Sequence, residues 1–295
     1  MQYFLQLVLS GLVIGAIYGL IAMVFSIIYK ATGLVNFAQG EVGMLIAYIA
    51  WAVSGSLGLS GTLAAAVGVV LIAVVAGIVL GLAIERLVMR PMLGEPVFSA
   101  VLVTIGLAVV LRSLVLLIWG ASPQKLDAGP ADAVVRLGEI GMRTSQLGVV
   151  AVLLLAVAGV WFYFKHSRFG VAMRAVAVDE KTARLMGVST ARVQAVAWAA
   201  SSVLAGLAWV FFAVIYSLSA TVFELGLKAF PATVLGGLDA VIGSGLSALV
   251  IGVAENLVGG YLSSTFKEVA GFLLILVVLM VRPFGLFGER EIERV

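Results

Sequence analysis

Long apolar runs separated by short polar or glycine-rich breaks set the pattern of this chain. They lie near 4–29, 39–55, 61–84, 98–119, 146–164, 194–217, 228–244, 245–262 and 268–282. Most approach the roughly 20 residues a helix needs to cross about 30 Å of hydrocarbon. The pattern predicts an all-α fold, a polytopic transmembrane helical bundle with residues 1–295 in a single domain. The seventh and eighth runs are the weakest, because they form one continuous glycine-rich stretch from Phe230 to Gly260. Nine crossings are expected. The alternative is eight, with one span and a re-entrant segment in that stretch. The opening MQYFLQLVLSGLVIGAIYGL has no basic n-region, so it reads as an uncleaved first span.

Composition closes off other classes. Mean hydropathy is +1.20 and charged residues make up 11% of the chain, so no soluble domain fits. There are no cysteines and one histidine, His166. Disulfides, thiolate metal sites and a histidine cluster are excluded. No phosphate-binding loop, HExxH, EF-hand loop or G-x-S-x-G elbow occurs. The expectation is therefore no catalytic residue, no metal and no cofactor. The net charge of +3 does not point to nucleic acid, because the basic residues fall in loops at span ends.

The longest polar interruption, 165–192, reads KHSRFGVAMRAVAVDEKTARLMGVSTAR. Lys165, Arg168, Arg174, Lys181, Arg184 and Arg192 stand there against only Asp179 and Glu180. Cytoplasmic loops carry the excess of Lys and Arg. Placing this loop inside also puts Lys30, Arg86, Arg90, Arg282, Arg290 and Arg294 inside, twelve of the 18 basic residues. The N-terminus is then outside and the C-terminus cytoplasmic. The external loop near 120–145 balances Lys125, Arg136 and Arg143 against Asp127, Asp132 and Glu139.

Within the basic loop, Asp179 suits an N-cap, Glu180 the first turn and Gly187 the residue after the last turn. This predicts a two-turn helix over Glu180–Met186, with Ala183 and Met186 on one side. Ser189 or Thr190 is placed to cap the next helix. Such a helix offers a knob to a groove on another protein. A surface helix resting on anionic lipid headgroups is the other reading.

Ionisable residues inside spans are functional candidates by default. Here they are Glu41, Arg112, Asp239 and Glu255. Asn36, Gln39 and Glu41 crowd a break with Gly33 and Gly40 between the first two runs. They form either a plain turn or a broken element beside a solute path. So few such groups argue against an ion-driven carrier. Glycines at four-residue spacing, Gly11-Gly15-Gly19 and Gly77-Gly81, mark close helix contacts.

Three sets of residues then match a known family. They are Tyr18–Ala22 continuing through Ile28–Glu41, Ser167–Ala175 continuing to Leu185–Val188, and Gly226–Phe230 with Val234–Gly237 and Arg282–Gly288. Glu85–Pro91 also fits. The chain resembles the permease subunits of branched-chain amino acid ABC transporters over nearly its whole length. The resemblance implies the large-type importer permease fold and a place in the bacterial inner membrane. It also implies a second homologous permease, two ATP-binding subunits on the cytoplasmic face and an extracytoplasmic solute-binding protein. It makes Asp179, Glu180, Lys181, Thr182, Ala183, Met186 and Gly187 the ATPase-coupling helix, although only Ala183 and Gly187 match the usual Glu-Ala-Ala-x-x-x-Gly form. By their polarity inside or between the spans, and not by the resemblance, Asn36, Gln39, Glu41, Asp239 and Glu255 are the candidate pathway residues. Urea, short amides and aromatic acids are alternative solutes, and an ion-driven carrier or a passive channel is the alternative mechanism.

Overall fold

The computed structural model describes residues 2–127, 133–137, 140–220 and 224–288. Eleven α-helices account for most of it, in the order α1 (Gln2–Thr32), α2 (Gln39–Ser56), α3 (Leu63–Ile84), α4 (Val97–Trp119), α5 (Thr144–His166), α6 (Arg168–Val178), α7 (Glu180–Leu185), α8 (Thr190–Ile215), α9 (Glu224–Gly236), α10 (Val241–Tyr261) and α11 (Ser264–Val281). A π turn over Glu85–Met89 and a 3-10 turn over Arg90–Met92 extend α3 to Pro91 and beyond. Between α4 and α5 a short antiparallel hairpin pairs β1 (Val134–Leu137) with β2 (Ile140–Arg143).

The centre of the bundle is α1, buried along most of its length from Gly11 onward. It packs most extensively on α10 and then on α8, α9 and α5. Small residues make this approach possible, as the glycine spacing predicts: a methyl group added at Gly11 would stand 2.6 Å from the Val253 Cα of α10. The outer helices α3, α4, α5 and α11 turn Leu71, Leu117, Leu155 and Leu276 outward. An outer surface this apolar is the complement of a lipid hydrocarbon phase.

Among the described residues, six helices are long and apolar enough to cross a membrane, and α2 and α11 add 18 residues each. The long glycine-rich run breaks at 237–240, not near 244 as expected. There the tail after α11 turns back, and Leu286 and Phe287 donate their N–H groups to the carbonyls of Leu235 and Gly236 at 2.8 and 3.1 Å. Those bonds satisfy the last carbonyls of α9 and end it. With 13 residues, α9 is only about 20 Å long. It is too short to span as a helix, and it begins beside the first turn of α2.

The bundle has two distinct ends. Lys30, Arg90, α6, α7 and Arg282 lie at one, here the loop end. The hairpin lies at the other, where Gln124 and Leu218 exchange backbone bonds at 2.8 Å. Asp132, Glu139, Arg290 and Arg294 lie outside the described residues.

Candidate functional site

The stretch 165–192 is two helices rather than a loop around one. Ser167 opens α6 by accepting the Gly170 N–H at 2.8 Å. Gly170, Met173 and Val176 then pack inward, and the Arg174 guanidinium donates to the Phe164 carbonyl. This helix was not anticipated, although the spacing of those three residues is a readable helical stripe.

Asp179 closes α6 and starts α7. One carboxylate oxygen accepts the N–H groups of Lys181 and Thr182 at 2.8 and 3.2 Å, and the other accepts the Thr182 hydroxyl at 2.6 Å. The Thr182 hydroxyl and N–H, followed by the Lys181 N–H and charge, hold the Asp179 carboxyl below the ordinary aspartate value. Glu180 pairs with Arg184 one turn on at 2.6 Å. Arg184 also donates from Nε to the Thr190 hydroxyl at 2.9 Å, which ties α7 to the first turn of α8. Ser189 takes the cap position of α8 with no side-chain bond.

Gly187 ends α7 at φ +86°. Its N–H reaches the Arg184 carbonyl and the Val188 N–H reaches the Ala183 carbonyl, both at 3.0 Å. This is the Schellman pair of bonds. It corrects one expectation: Ala183 is buried beneath the turn, while Leu185 and Met186 are 87% and 81% exposed. The knob is therefore Leu185–Met186. Lys181 is exposed on the same short helix.

A prediction follows from the cap. Because the folded pKa of Asp179 is depressed, its stabilisation is present above the unfolded value and is lost as pH falls through the folded one. Wild-type Lys181 and Thr182 amides should stay protected from hydrogen exchange into mildly acidic pH. In Asp179→Ala both should exchange several-fold faster at neutral pH.

The intramembrane residues separate into three places. Asn36 donates to Gln39 at 2.6 Å and accepts the Ala38 N–H at 3.0 Å, closing the break between α1 and α2. Both side chains are buried, as is Glu41, which accepts from Arg112 of α4 at 3.1 Å. So Asn36, Gln39, Glu41 and Arg112 come together near the start of α2. Asp239 lies apart, at the loop end, where its carbonyl accepts from Lys30 at 3.1 Å. Glu255 is buried on α10 against Gly271 of α11. A further buried carboxylate, Glu85, grips Arg90 through two bonds of 3.1 and 3.0 Å. Its signal in the sequence was the Glu85–Pro91 segment, read only as part of the resemblance.

A family model described as "Branched-chain amino acid transport system / permease component" matches residues 7–281, from α1 to the end of α11. The chain belongs to this family. It is 34% identical to the high-affinity branched-chain amino acid transport system permease protein LivH of Escherichia coli K12, across 99% of this chain and 98% of that one. It is 31% identical to the corresponding permease protein BraD of Pseudomonas aeruginosa over the same shares. It is 26% identical to the ribose import permease protein RbsC of Escherichia coli K12 over 81% of this chain and 80% of that one. The relatives are transport permease components, not enzymes. The family and the six long apolar helices make this chain a multi-pass membrane protein.

Proposed function

We propose that this permease forms the translocation path of an ATP-driven ABC importer for amino acids, branched-chain ones first. The observation that carries the coupling role is α7. It is capped at both ends, too short to pack a core of its own, and shows Leu185 and Met186 to the outside. Two exposed apolar side chains on a rigid two-turn helix suit the groove of a soluble ATPase subunit. The charge distribution supports a cytoplasmic loop end and an inner-membrane location.

The mechanism is alternating access. Closure of two ATPase subunits displaces α7. The Schellman turn and the Arg184–Thr190 bond pass that displacement to α8. Since α8 packs on α3, α1 and α2, its movement rocks the bundle between outward-open and inward-open forms. A second homologous permease completes the path, and an extracytoplasmic solute-binding protein delivers the solute. The nearer relatives' names support a branched-chain amino acid, while the ribose permease shows that related chains serve other solutes.

The test is reconstitution with ATPase subunits and the binding protein. Leucine uptake into liposomes should require ATP on the loop side and binding protein on the hairpin side. Uptake by the permease alone, driven by an ion gradient or by none, sinks the proposal.

A further inference from the structure

Of the six long apolar helices, α5 is the most exposed, and its exposed face changes character toward the loop end. Leu154, Ala158, Trp161 and Lys165 stand on one exposed stripe, spaced four, three and four residues apart. Leu155, Gly159, Phe162 and His166 repeat that order on the adjoining stripe. Both stripes run from aliphatic or small residues, through an exposed aromatic ring, to a basic or imidazole group. Trp161 is 48% exposed and Phe162 61%. The Lys165 ammonium lies over the Trp161 ring, 4.6 Å from its centre, and the His166 ring stacks on Phe162 at 4.7 Å. Aromatic rings of this kind settle at the boundary between hydrocarbon and water, and lysine stems reach past it to the headgroups.

The chain then turns sharply. A methyl group at Gly170 would stand 2.6 Å from the Tyr163 carbonyl oxygen, so α6 folds tightly on the end of α5. The Arg174 guanidinium closes this corner on the Phe164 carbonyl. Arg168 stands exposed at the corner, with Phe169 and Val171 exposed on the same helix. No acidic residue occurs from 144 to 178. Among the described residues, Lys165 and Arg168 have no ion-pair partner. Lys30 is engaged inward, over the Phe164 ring and with the Asp239 carbonyl.

We infer that the α5–α6 corner binds anionic phospholipid headgroups. Lys165 and Arg168 supply the positive charge, and Trp161 and Phe162 seat against the upper acyl chains. A bilayer accepts each part of this surface at its own level: hydrocarbon, then the ring boundary, then phosphate. A protein groove that covered Trp161 and Phe162 would have to bury the Lys165 charge as well, with no counter-charge from this chain. The lipid contact suggested by the basic loop thus belongs to its first helix rather than to α7. Asp179 joins the two helices, so a headgroup held at this corner steadies the base from which α7 projects. The lipid site stands whether or not α7 meets an ATPase.

The test offers phosphatidylglycerol or phosphatidylcholine to the full-length permease in detergent and follows bound lipid by native mass spectrometry. Each basic residue near an anionic surface is worth about fivefold in binding. Wild type should therefore bind phosphatidylglycerol at least about tenfold more tightly than phosphatidylcholine. Lys165→Gln with Arg168→Gln should lose that preference. Arg86→Gln with Arg192→Gln removes the same charge from two other exposed positions and should keep it. Unchanged melting of all three in detergent alone shows that the fold is retained. The site is overturned if wild type has no preference, if the corner variant keeps it, or if both double variants lose it equally. A second arm does not depend on charge removal. The chain has no cysteine, so a benzophenone can be attached to Phe162→Cys alone. Illuminated in native membranes, it should cross-link to lipid. A cross-link to another protein subunit would put protein on this face and overturn the lipid assignment.

Discussion

Gly187→Pro should abolish substrate-stimulated ATP hydrolysis by the assembled transporter while the chain still inserts in the membrane. The physical reason lies in one residue. Gly187 sits at φ +86°, and proline is fixed near −65°. Proline also removes the N–H that reaches the Arg184 carbonyl. With that bond gone and the backbone turned the other way, Val188 no longer reaches Ala183, and the chain leaves α7 in a new direction. Leu185 and Met186 then point away from where they now stand, and the Arg184–Thr190 link to α8 breaks. The loss should be complete or nearly so, because both links from α7 to α8, the turn and the Arg184–Thr190 bond, are lost together. Insertion should survive, since α7 lies outside the apolar spans and nothing lies within 4 Å of the space beyond Gly187. The measurement is ATP turnover with and without solute-loaded binding protein, beside the yield of membrane-inserted chain. A leucine substitution at Met186 should give a mild version with the turn intact. Wild-type stimulation in Gly187→Pro would refute the coupling role of α7.

What was readable in the sequence was what local chemistry decides. Asp179, Glu180 and Gly187 announced both ends of α7, and the structure places the cap bonds and the positive φ at those residues. Most apolar runs became helices within a few residues of their expected limits. What was not readable depended on partners distant in sequence. The end of α9 had a local signal in Gly237, which takes φ +104° there, but its second support, the bonds from Leu286 and Phe287 some fifty residues later, did not. Ala183 and Met186 share a helix side by spacing, but only the tertiary turn shows that one is buried and the other exposed. Glu41 and Arg112 were each visible as charges inside apolar runs. Their pairing across two helices, and their unequal exposure, required the fold.

Gly252→Leu should leave almost no folded permease, because it attacks the contact on which the bundle is built. A methyl group at Gly252 would already stand 2.5 Å from the Gly11 carbonyl oxygen and from the Gly15 N and Cα. These are backbone atoms of α1, so no rotamer change relieves the collision. The helices would have to separate. In lipid their association depends on such close packing, since the hydrocarbon solvates a separated apolar helix as well as a partner does. Separating α10 from α1 also pulls α10 from Met23, which lies against Gly245, and threatens the buried Ser26–Ser244 bond of 2.9 Å. Overpacking a well-filled core costs about 1–3 kcal/mol, and more where backbone must move. Gly252→Ala should therefore lower the unfolding temperature in detergent, and Gly252→Leu should exceed what the bundle tolerates. Gly106→Leu is the matched control, since α4 has nothing within 4 Å of that position. It should purify and melt like wild type. Thermal unfolding followed by size-exclusion chromatography separates the three variants. A Gly252→Leu protein that elutes and melts as wild type would mean that α1 and α10 do not meet at these glycines.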